Sequence, residues 1–504
     1  MIIATCGCQI RGETKRKYRN ENSDNRNSSC GFFVLEAPMS ITRTYIAEFT
    51  QEESQAAKAS TCGTTDESSG CQNGNLISIS GFVQSLRNLG KIAFLTVRDA
   101  SGQIQCVVDK PELLETSQAL LPETPVVVQG KLVENPGKKG PREILVSRIE
   151  ALSSIEATLP VELSKNQKID KLAISTLLDY RPLTLRNEKV KSIFKIEAVI
   201  QRAFREYLSG QNFTEINTPK IVATGTEGGA QLFELEYFGK KAYLAQSPQF
   251  YKQIMVGVFE RVFETAAVYR AEEHDTTRHL NEYISLDFEM GFIESEQDVI
   301  RMQMGLMKHI FKKVKEECQY ELGLWGASIP EFEKIPQIGL EEAVTLLQEE
   351  YGWTPAQKDL DPAGERLLCE HFQKTEGVDL VYVLHYPLAA RPFYTMPLKE
   401  SSAQGPKGKG APELKSRGFD LLFRGLEITT GGQRIHQYEE LVKAIEDEGL
   451  APEQFQEYLL CFKHGMPPHG GLAIGLERLT KQLLGLKSVK EAALFPRDLN
   501  RLRP

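Results

Sequence analysis

From residue 76 to residue 150, hydrophobic and polar positions alternate in five short runs, LISISGFV, KIAFLTVRD, GQIQCVVD, TPVVVQGKLV and REILVSRIEAL, separated by NLG, DASG and NPGKKG. A period of two sends successive side chains to opposite faces, so each run predicts a strand with one buried face. The breaks rich in glycine, proline and polar residues predict turns. Five strands of this length predict a small β-barrel of the OB kind, whose open face suits single-stranded nucleic acid. A barrel with no ligand fits this segment equally well.

The period changes in KVKSIFKIEAVIQRAFREYLSG. Here Ile193, Phe194, Ile196, Val199, Ile200 and Phe204 recur at helical spacing, and Gly210 is expected just beyond the last turn. Such a stripe belongs in a core or an interface. The strand-like runs AYLAQ, RVFETAAVYR, YISLDFEMGF, VYVLHYP, FDLLFRGLEITTGGQRI and GGLAIGLERL follow without helices at regular βαβ spacing. This predicts an α+β domain with a mainly antiparallel sheet rather than a doubly wound one. No P-loop or dinucleotide-binding fingerprint interrupts it.

The N-terminal part has neither period. Residues 1–38 are polar and rich in Asn and Arg, and MSITRTYIAEFT from Met39 reads as an alternative start. Residues 50–75, rich in Ser, Thr, Gly and Gln, hold too few apolar groups to offset their ordering entropy and predict a tether. The expected organisation is therefore a flexible extension and tether over 1–75, a barrel over 76–155, a connector over 156–188 and the α+β domain over 189–504.

Composition narrows the class. With 504 residues, 41% of them hydrophobic, each domain can have a core of its own. No apolar run reaches the roughly 18 residues of a membrane span. The first ten residues, MIIATCGCQI, have no basic residue ahead of their apolar stretch and so lack the order of a secretion signal. Nine cysteines lie scattered without paired zinc-site spacing and are expected to be free thiols in a reducing cytoplasm. A net charge of −8 excludes a basic coat for nonspecific nucleic-acid binding, so any RNA contact must be local.

Three stretches place charge where a strand should be apolar. In RVFETAAVYRAEEHDTTRHLNEYISLDFEMGF, Arg270 ends an apolar run, and Asp287 and Glu289 alternate with Leu286, Phe288 and Met290; Glu272, Arg278, His279 and Glu282 lie between. Charges on the inner face of a sheet must be paired or bind something. In FRGLEITTGGQRIH, Arg424, Glu427 and Arg434 flank an expected kink at Gly431-Gly432 that would admit a close ligand or backbone. In PPHGGLAIGLERL, Gly470, Gly471 and Gly475 lead into a helix headed by Glu477 and Arg478, and an arginine there could meet a phosphate.

In this order the stretches resemble the three motifs of class II aminoacyl-tRNA synthetases. The long helix with TEINTPKIVATGTEGGAQLF and its Pro219 looks like motif 1, VYRAEEHDTTRHLNEYISLDFEM like motif 2 and GLAIGLERL like motif 3. The likeness spans residues 76–504 and ends in LFPRDLNRLRP, similar to the aspartyl enzymes of archaeal and eukaryotic type. It implies ATP as substrate, Mg²⁺ as cofactor and a homodimer built through motif 1. It also implies that Arg270 meets the α-phosphate and the substrate carboxylate, and that Arg478 holds the γ-phosphate end and covers the adenine. Glu272, Arg278, His279 and Leu280 would cradle ATP, with Tyr283 under the adenine and Gly475, Leu476 and Glu477 beside it. Glu427 would hold Mg²⁺ with help from Thr430.

The same resemblance implies L-aspartate as the amino acid. Lys252 in QSPQFYK and Arg434 match the pair that clamps the side-chain carboxylate in aspartyl enzymes, with Gln249 and Asp287 nearby, and Glu227 would receive the α-ammonium group. Asparaginyl enzymes lack a lysine at the position of Lys252. Taken alone, Lys252 also reads as a solvated helix lysine. In the barrel, Arg87, Phe94 and Gln105 match the residues that read the anticodon, although Phe94 taken alone reads as core. The partners implied are tRNA(Asp) and, for a relaxed enzyme, tRNA(Asn). Gln84 stands where strict enzymes often have Trp, whereas Lys138 and Lys139 supply the basic loop that strict enzymes use, so both readings stay open.

Overall fold

A computed structural model describes residues 43–50, 76–133, 142–225, 231–355, 359–398 and 414–503. The chain divides into two compact units, Met1–Ala157 and Thr158–Pro504.

In the first unit, β1 (Leu76–Asn88), β2 (Ala93–Arg98), β3 (Gln103–Val108), β4 (Pro125–Val133) and β5 (Glu143–Ala151) close into a barrel in the order β1-β2-β3-β5-β4. Alternation does what the pattern predicts: Ala93, Leu95 and Val97 of β2 and Ile104, Cys106 and Val108 of β3 fill the interior. The residues between them face outward. The expected extension over 1–75 needs one correction. Ile46 is completely buried in the barrel core, its amide donates to Asp99 Oδ2 at 3.0 Å, and the amide of Ala47 donates to Ser101 Oγ at 3.0 Å. The physical reason is that Ile46 adds an apolar side chain to the core while Asp99 and Ser101 satisfy the backbone that carries it. The residues ahead of Arg43, Met39 among them, and residues 51–75 lie outside the described residues.

The second unit is built on β6 (Thr214–Glu215), β7 (Ile221–Val222), β8 (Glu234–Tyr237), β9 (Lys240–Leu244), β10 (Arg261–Tyr269), β11 (Glu282–Gly291), β12 (Gln337–Gly339), β13 (Leu380–Leu384), β14 (Gly418–Phe423), β15 (Leu426–Arg434) and β16 (His469–Gly475). Eight of these form one sheet in the order β12-β13-β14-β15-β16-β11-β10-β6, while β7, β9 and β8 form a small one. The large sheet is antiparallel from β13 to β10 and parallel only at its two edges, as the sequence predicts.

The helix Glu188–Gly210 starts at Asn187, whose side chain accepts from the amides of Lys189 and Val190. Its predicted stripe is buried at Ile193, Ile196, Val199, Ile200 and Phe204, in one core with residues of the helix Glu296–Glu317 and of the large sheet. Gly210 sits inside the last turn rather than beyond it; Asn212, at φ 62°, makes the left-handed turn instead. Cys106, Cys318, Cys369 and Cys461 are free thiols. No described helix is long and apolar enough to cross a membrane.

Ile46→Ala is expected to destabilise the barrel unit by about 2–4 kcal/mol through the cavity it leaves. The measurement is the urea midpoint of the barrel transition in the full chain, with the transition of the larger unit unmoved; an unchanged barrel midpoint would remove Ile46 from the core.

Candidate functional site

At β11 the large sheet is apolar on one face and polar on the other, because this strand alternates. Leu286, Phe288 and Met290 enter the main core, while Ser285, Asp287 and Glu289 face the opposite way. A cavity of about 360 Å³ opens over that polar face. Its walls include Gln249 and Lys252 of the helix Gln249–Phe259, Arg270 just past β10, Glu272, Arg278, His279 and Leu280 of the following loop, and Tyr283 and Asp287 of β11. Opposite stand Glu427, Thr430 and Arg434 of β15, Gly475 of β16, and Glu477 and Arg478 of the helix Leu476–Leu484. Two predicted residues are not among them. Leu476 is 1% exposed and packs in the main core, because its place in the first helical turn points its apolar side chain inward; Glu227 lies outside the described residues, as do Lys138 and Lys139.

The deepest part of this region is a charge network. The Lys252 ammonium, 2% exposed, donates to Asp287 Oδ1 at 2.9 Å and to the carbonyl of Leu472 at 3.1 Å, and it lies 3.4 Å from Glu289 Oε2. Arg434 donates through Nε to Glu289 Oε1 and through Nη2 to the carbonyl of Gly471, both at 3.0 Å. The Ser285 hydroxyl donates to the other Asp287 oxygen. Burial disfavours the Glu289 carboxylate, but Arg434 and Lys252 outweigh it and hold its pKa below the ordinary value. Lys252 is thus no solvated helix lysine. The expected kink at Gly431-Gly432 is absent: β15 runs on, with Gly431 opposite Phe419 and Leu472 and Gly432 opposite Gly418 and Gly471. The glycines serve close approach instead, since a Cβ on Gly432 would lie 2.8 Å from the carbonyl of Arg417.

A second charged region lies along β14 and β15. Arg478 donates to the Glu427 carbonyl at 3.0 Å and stands 3.3 Å from its carboxylate, which also accepts from the Thr430 hydroxyl at 3.1 Å. Arg391 makes two bonds to Asp420, of 3.0 and 2.7 Å, and Arg278 two to Glu365, of 2.8 and 2.7 Å. Burial pushes Glu365 up to about 6 and Glu477 up to about 7, and burial lowers His279. Sequence reasoning missed Arg391, Asp420 and Glu365. Asp420 carried a signal, a lone charge inside FDLLF; Glu365 lies in an ordinary amphipathic helix that offered none.

On the barrel, Arg87 of β1 pairs directly with Phe94 of β2, and Gln105 of β3 pairs with Thr96 two residues along. Phe94 faces outward, since its neighbours Ala93 and Leu95 fill the core, so the reading of Phe94 as core is corrected. Gln105 donates to Glu143 Oε1 at 2.9 Å.

A mainly antiparallel sheet with a cavity on its polar face, in a chain that also holds an OB barrel, is the architecture of a class II aminoacyl-tRNA synthetase. The profile of class II tRNA synthetases (D, K and N) matches residues 173–499, that of the OB-fold nucleic acid binding domain matches residues 77–152, and the chain belongs to this synthetase family. It is 50% identical to an aspartate–tRNA(Asp/Asn) ligase of Deinococcus radiodurans over 86% of this chain and 96% of that one. Identity is 47% to the enzyme of the same name from Thermus thermophilus, over 86% and 97%, and 41% to an aspartate–tRNA(Asp) ligase of Pyrococcus furiosus, again over 86% and 97%. Among solved structures it resembles asparaginyl-tRNA synthetase of Pyrococcus horikoshii complexed with asparaginyl-adenylate (TM-score 0.79, 29% identity, 92% of this chain and 100% of that one). It also resembles aspartyl tRNA synthetase of Entamoeba histolytica (TM-score 0.76, 30% identity, 93% and 94%).

The raised Glu477 gives a pH prediction. Between its ordinary 4.5 and about 7 the folded state binds more protons here than the unfolded chain, so this group's contribution to stability falls as pH rises through that window. Glu477→Gln removes the titration and is expected to gain on the parent by up to about 3 kcal/mol between pH 4.5 and 8. Urea midpoints across that range provide the check, and a pH-independent difference would contradict it.

Proposed function

We propose that this chain is an aspartate–tRNA ligase that joins L-aspartate to tRNA through an aspartyl-adenylate. The observation that carries this is the buried pair of cations, Lys252 and Arg434, on the floor of the cavity. Among the described residues, Arg434 Nη1 makes no hydrogen bond, while Nε and Nη2 are engaged, so one edge of the guanidinium is left for a ligand. An aspartate side chain brings charge and acceptor oxygens alone to these donors, whereas one side of an asparagine amide is an NH₂ group that would face a cation. An asparaginyl enzyme is the alternative, and Lys252 argues against it. A synthetase-like protein that works without tRNA is disfavoured by the barrel.

In the first step an oxygen of the aspartate α-carboxylate forms a bond to the α-phosphorus of ATP, the bond from that phosphorus to the bridging oxygen breaks, and pyrophosphate leaves. The attacking group is already ionised, so no general base is needed. Arg270 neutralises charge at the α-phosphate, and Arg478 does so at the γ-phosphate end. Glu272 and the segment from Arg278 to Leu280 line the place of the nucleotide, Tyr283 stacks under the adenine, and Gln249 and Asp287 flank the aspartate. In the second step a hydroxyl of the terminal ribose attacks the adenylate carbonyl and AMP leaves.

Glu427 and Thr430 suit Mg²⁺, which takes one or two carboxylates together with substrate phosphates. Asp420, opposite Thr430 in the sheet, is bonded through both oxygens to Arg391; burial and the neighbouring Glu427 still raise its pKa, a repulsion that a cation held by Glu427 would relieve. Mg²⁺ when bound would neutralise phosphate charge.

Phe94 offers a ring on which an anticodon base can stack, flanked by Arg87 and Gln105. Gln84 and the dual names of the Deinococcus and Thermus relatives favour a relaxed enzyme that also charges tRNA(Asn). The chain acts in the cytoplasm as a homodimer formed through the helix Glu188–Gly210 and the segment at Pro219.

Lys252→Met is expected to lower kcat/KM for aspartate-dependent pyrophosphate exchange by roughly 10³-fold, the cost of removing one partner of a buried charge pair; unchanged kinetics would refute the clamp. Incubating the enzyme with labelled aspartate or asparagine and transcripts of tRNA(Asp) and tRNA(Asn) should yield aspartylation of both. Charging of neither transcript would overturn the proposal, and charging of tRNA(Asp) alone would make the enzyme strict.

A further inference from the structure

Behind the wall that carries Gln249 lies a chain of polar groups with no direct place in the chemistry. His469, on β16, is completely buried, and its Nδ1 stands 2.9 Å from the carbonyl of Pro467. A carbonyl only accepts, so Nδ1 carries the proton, and in the neutral ring Nε2 is then an acceptor. Gln253, also completely buried, places its Nε2 at 2.9 Å from that nitrogen and must donate to it. Its Oε1 is thereby fixed as acceptor, and it receives the Tyr458 hydroxyl at 3.1 Å and Gln249 Nε2 at 3.0 Å. Each bond dictates the polarity of the next.

We infer that His469 and Gln253 are positioning residues which, through this relay, hold the Gln249 amide with its carbonyl oxygen toward the cavity. The inference rests on the placement of Gln249 beside aspartate. An amide oxygen on a cavity wall suits an ammonium group, and aspartate brings one. Without the relay the Gln249 amide is free to turn its NH₂ inward, where it would repel that ammonium.

The charged groups facing His469 are Glu289, which favours its protonation, and Arg434 and His436, which oppose it. The ring of Phe462 lies 5.9 Å away and the ring of Tyr458 packs on Phe462. Burial prevails and lowers the imidazole to about 4, so the neutral ring persists through the working range.

The test is pyrophosphate exchange with the full chain. His469→Phe and Gln253→Leu are expected to raise KM for aspartate about tenfold, the loss of one oriented hydrogen bond, with KM for ATP and kcat nearly unchanged. His469→Gln, which returns an acceptor near the position of Nε2, should recover most of the loss. Aspartate KM unchanged in both His469→Phe and Gln253→Leu would overturn the relay, and so would a His469→Gln variant as impaired as His469→Phe. Gln249→Leu separates the two ideas: if it leaves KM for aspartate unchanged, the placement of Gln249 fails, whereas a rise there without one in the relay variants fails the relay alone. Should the variants fold poorly, ¹⁵N-histidine spectra of the parent decide. A neutral Nδ1–H tautomer at His469, assigned in the parent through its side-chain-to-backbone correlations, supports the relay, and an Nε2–H tautomer or an imidazolium at pH 7 overturns it.

Discussion

The floor of the site depends on four charges that share one buried patch of sheet: Lys252, Asp287, Glu289 and Arg434. Removing any of them from water is costly, and mutual pairing with hydrogen bonds to the backbone offsets the cost. The rest of the architecture supplies that pairing. The helix Gln249–Phe259 brings the lysine, β11 the carboxylates and β15 the arginine, while β16 lends the carbonyls of Gly471 and Leu472 as additional acceptors. Loss of one member leaves the others charged and unsatisfied, so the floor is held together as a unit.

Space for this network comes from missing side chains. A Cβ on Gly471 would fall 2.2 Å from Glu289 Oε2 and 2.1 Å from the carbonyl of Phe288, so the residue facing Glu289 in the next strand has to be glycine. Gly431 is constrained from the other side, where a Cβ would strike the Phe419 ring at 2.6 Å. Gly471, together with Gly431 of the pair that looked like a kink, is thus the means by which a regular, continuous sheet accommodates a buried carboxylate and an aromatic ring.

Much of this was legible because local pattern and tertiary role coincide. The barrel strands show a period of two since their burial alternates, and Asp287 and Glu289 were visible as charges inside an apolar run for the same reason. Legibility fails where a role depends on a distant partner. Gln253 and His469 look like surface polar residues until the helix and β16 meet; Arg391 acquires its meaning from Asp420 on another strand, and Glu365 from Arg278. Ile46 was obscured differently. A single apolar residue that joins a core has no period, so only the barrel it enters reveals it.

A further property follows from the pairing. Lys252, Arg434, Arg278, Arg391 and Arg478 each have a carboxylate of the chain itself beside them, Asp287, Glu289, Glu365, Asp420 and Glu427 respectively. Within the chain these charges cancel in pairs, so the site concentrates cations without making the surrounding surface basic, in keeping with a net charge of −8. Directional donors are held in place by these carboxylates, so little reorganisation is left for the moment of reaction. The pairing also guards against the wrong ligand, because a neutral group offers each cation less than the carboxylate it already has.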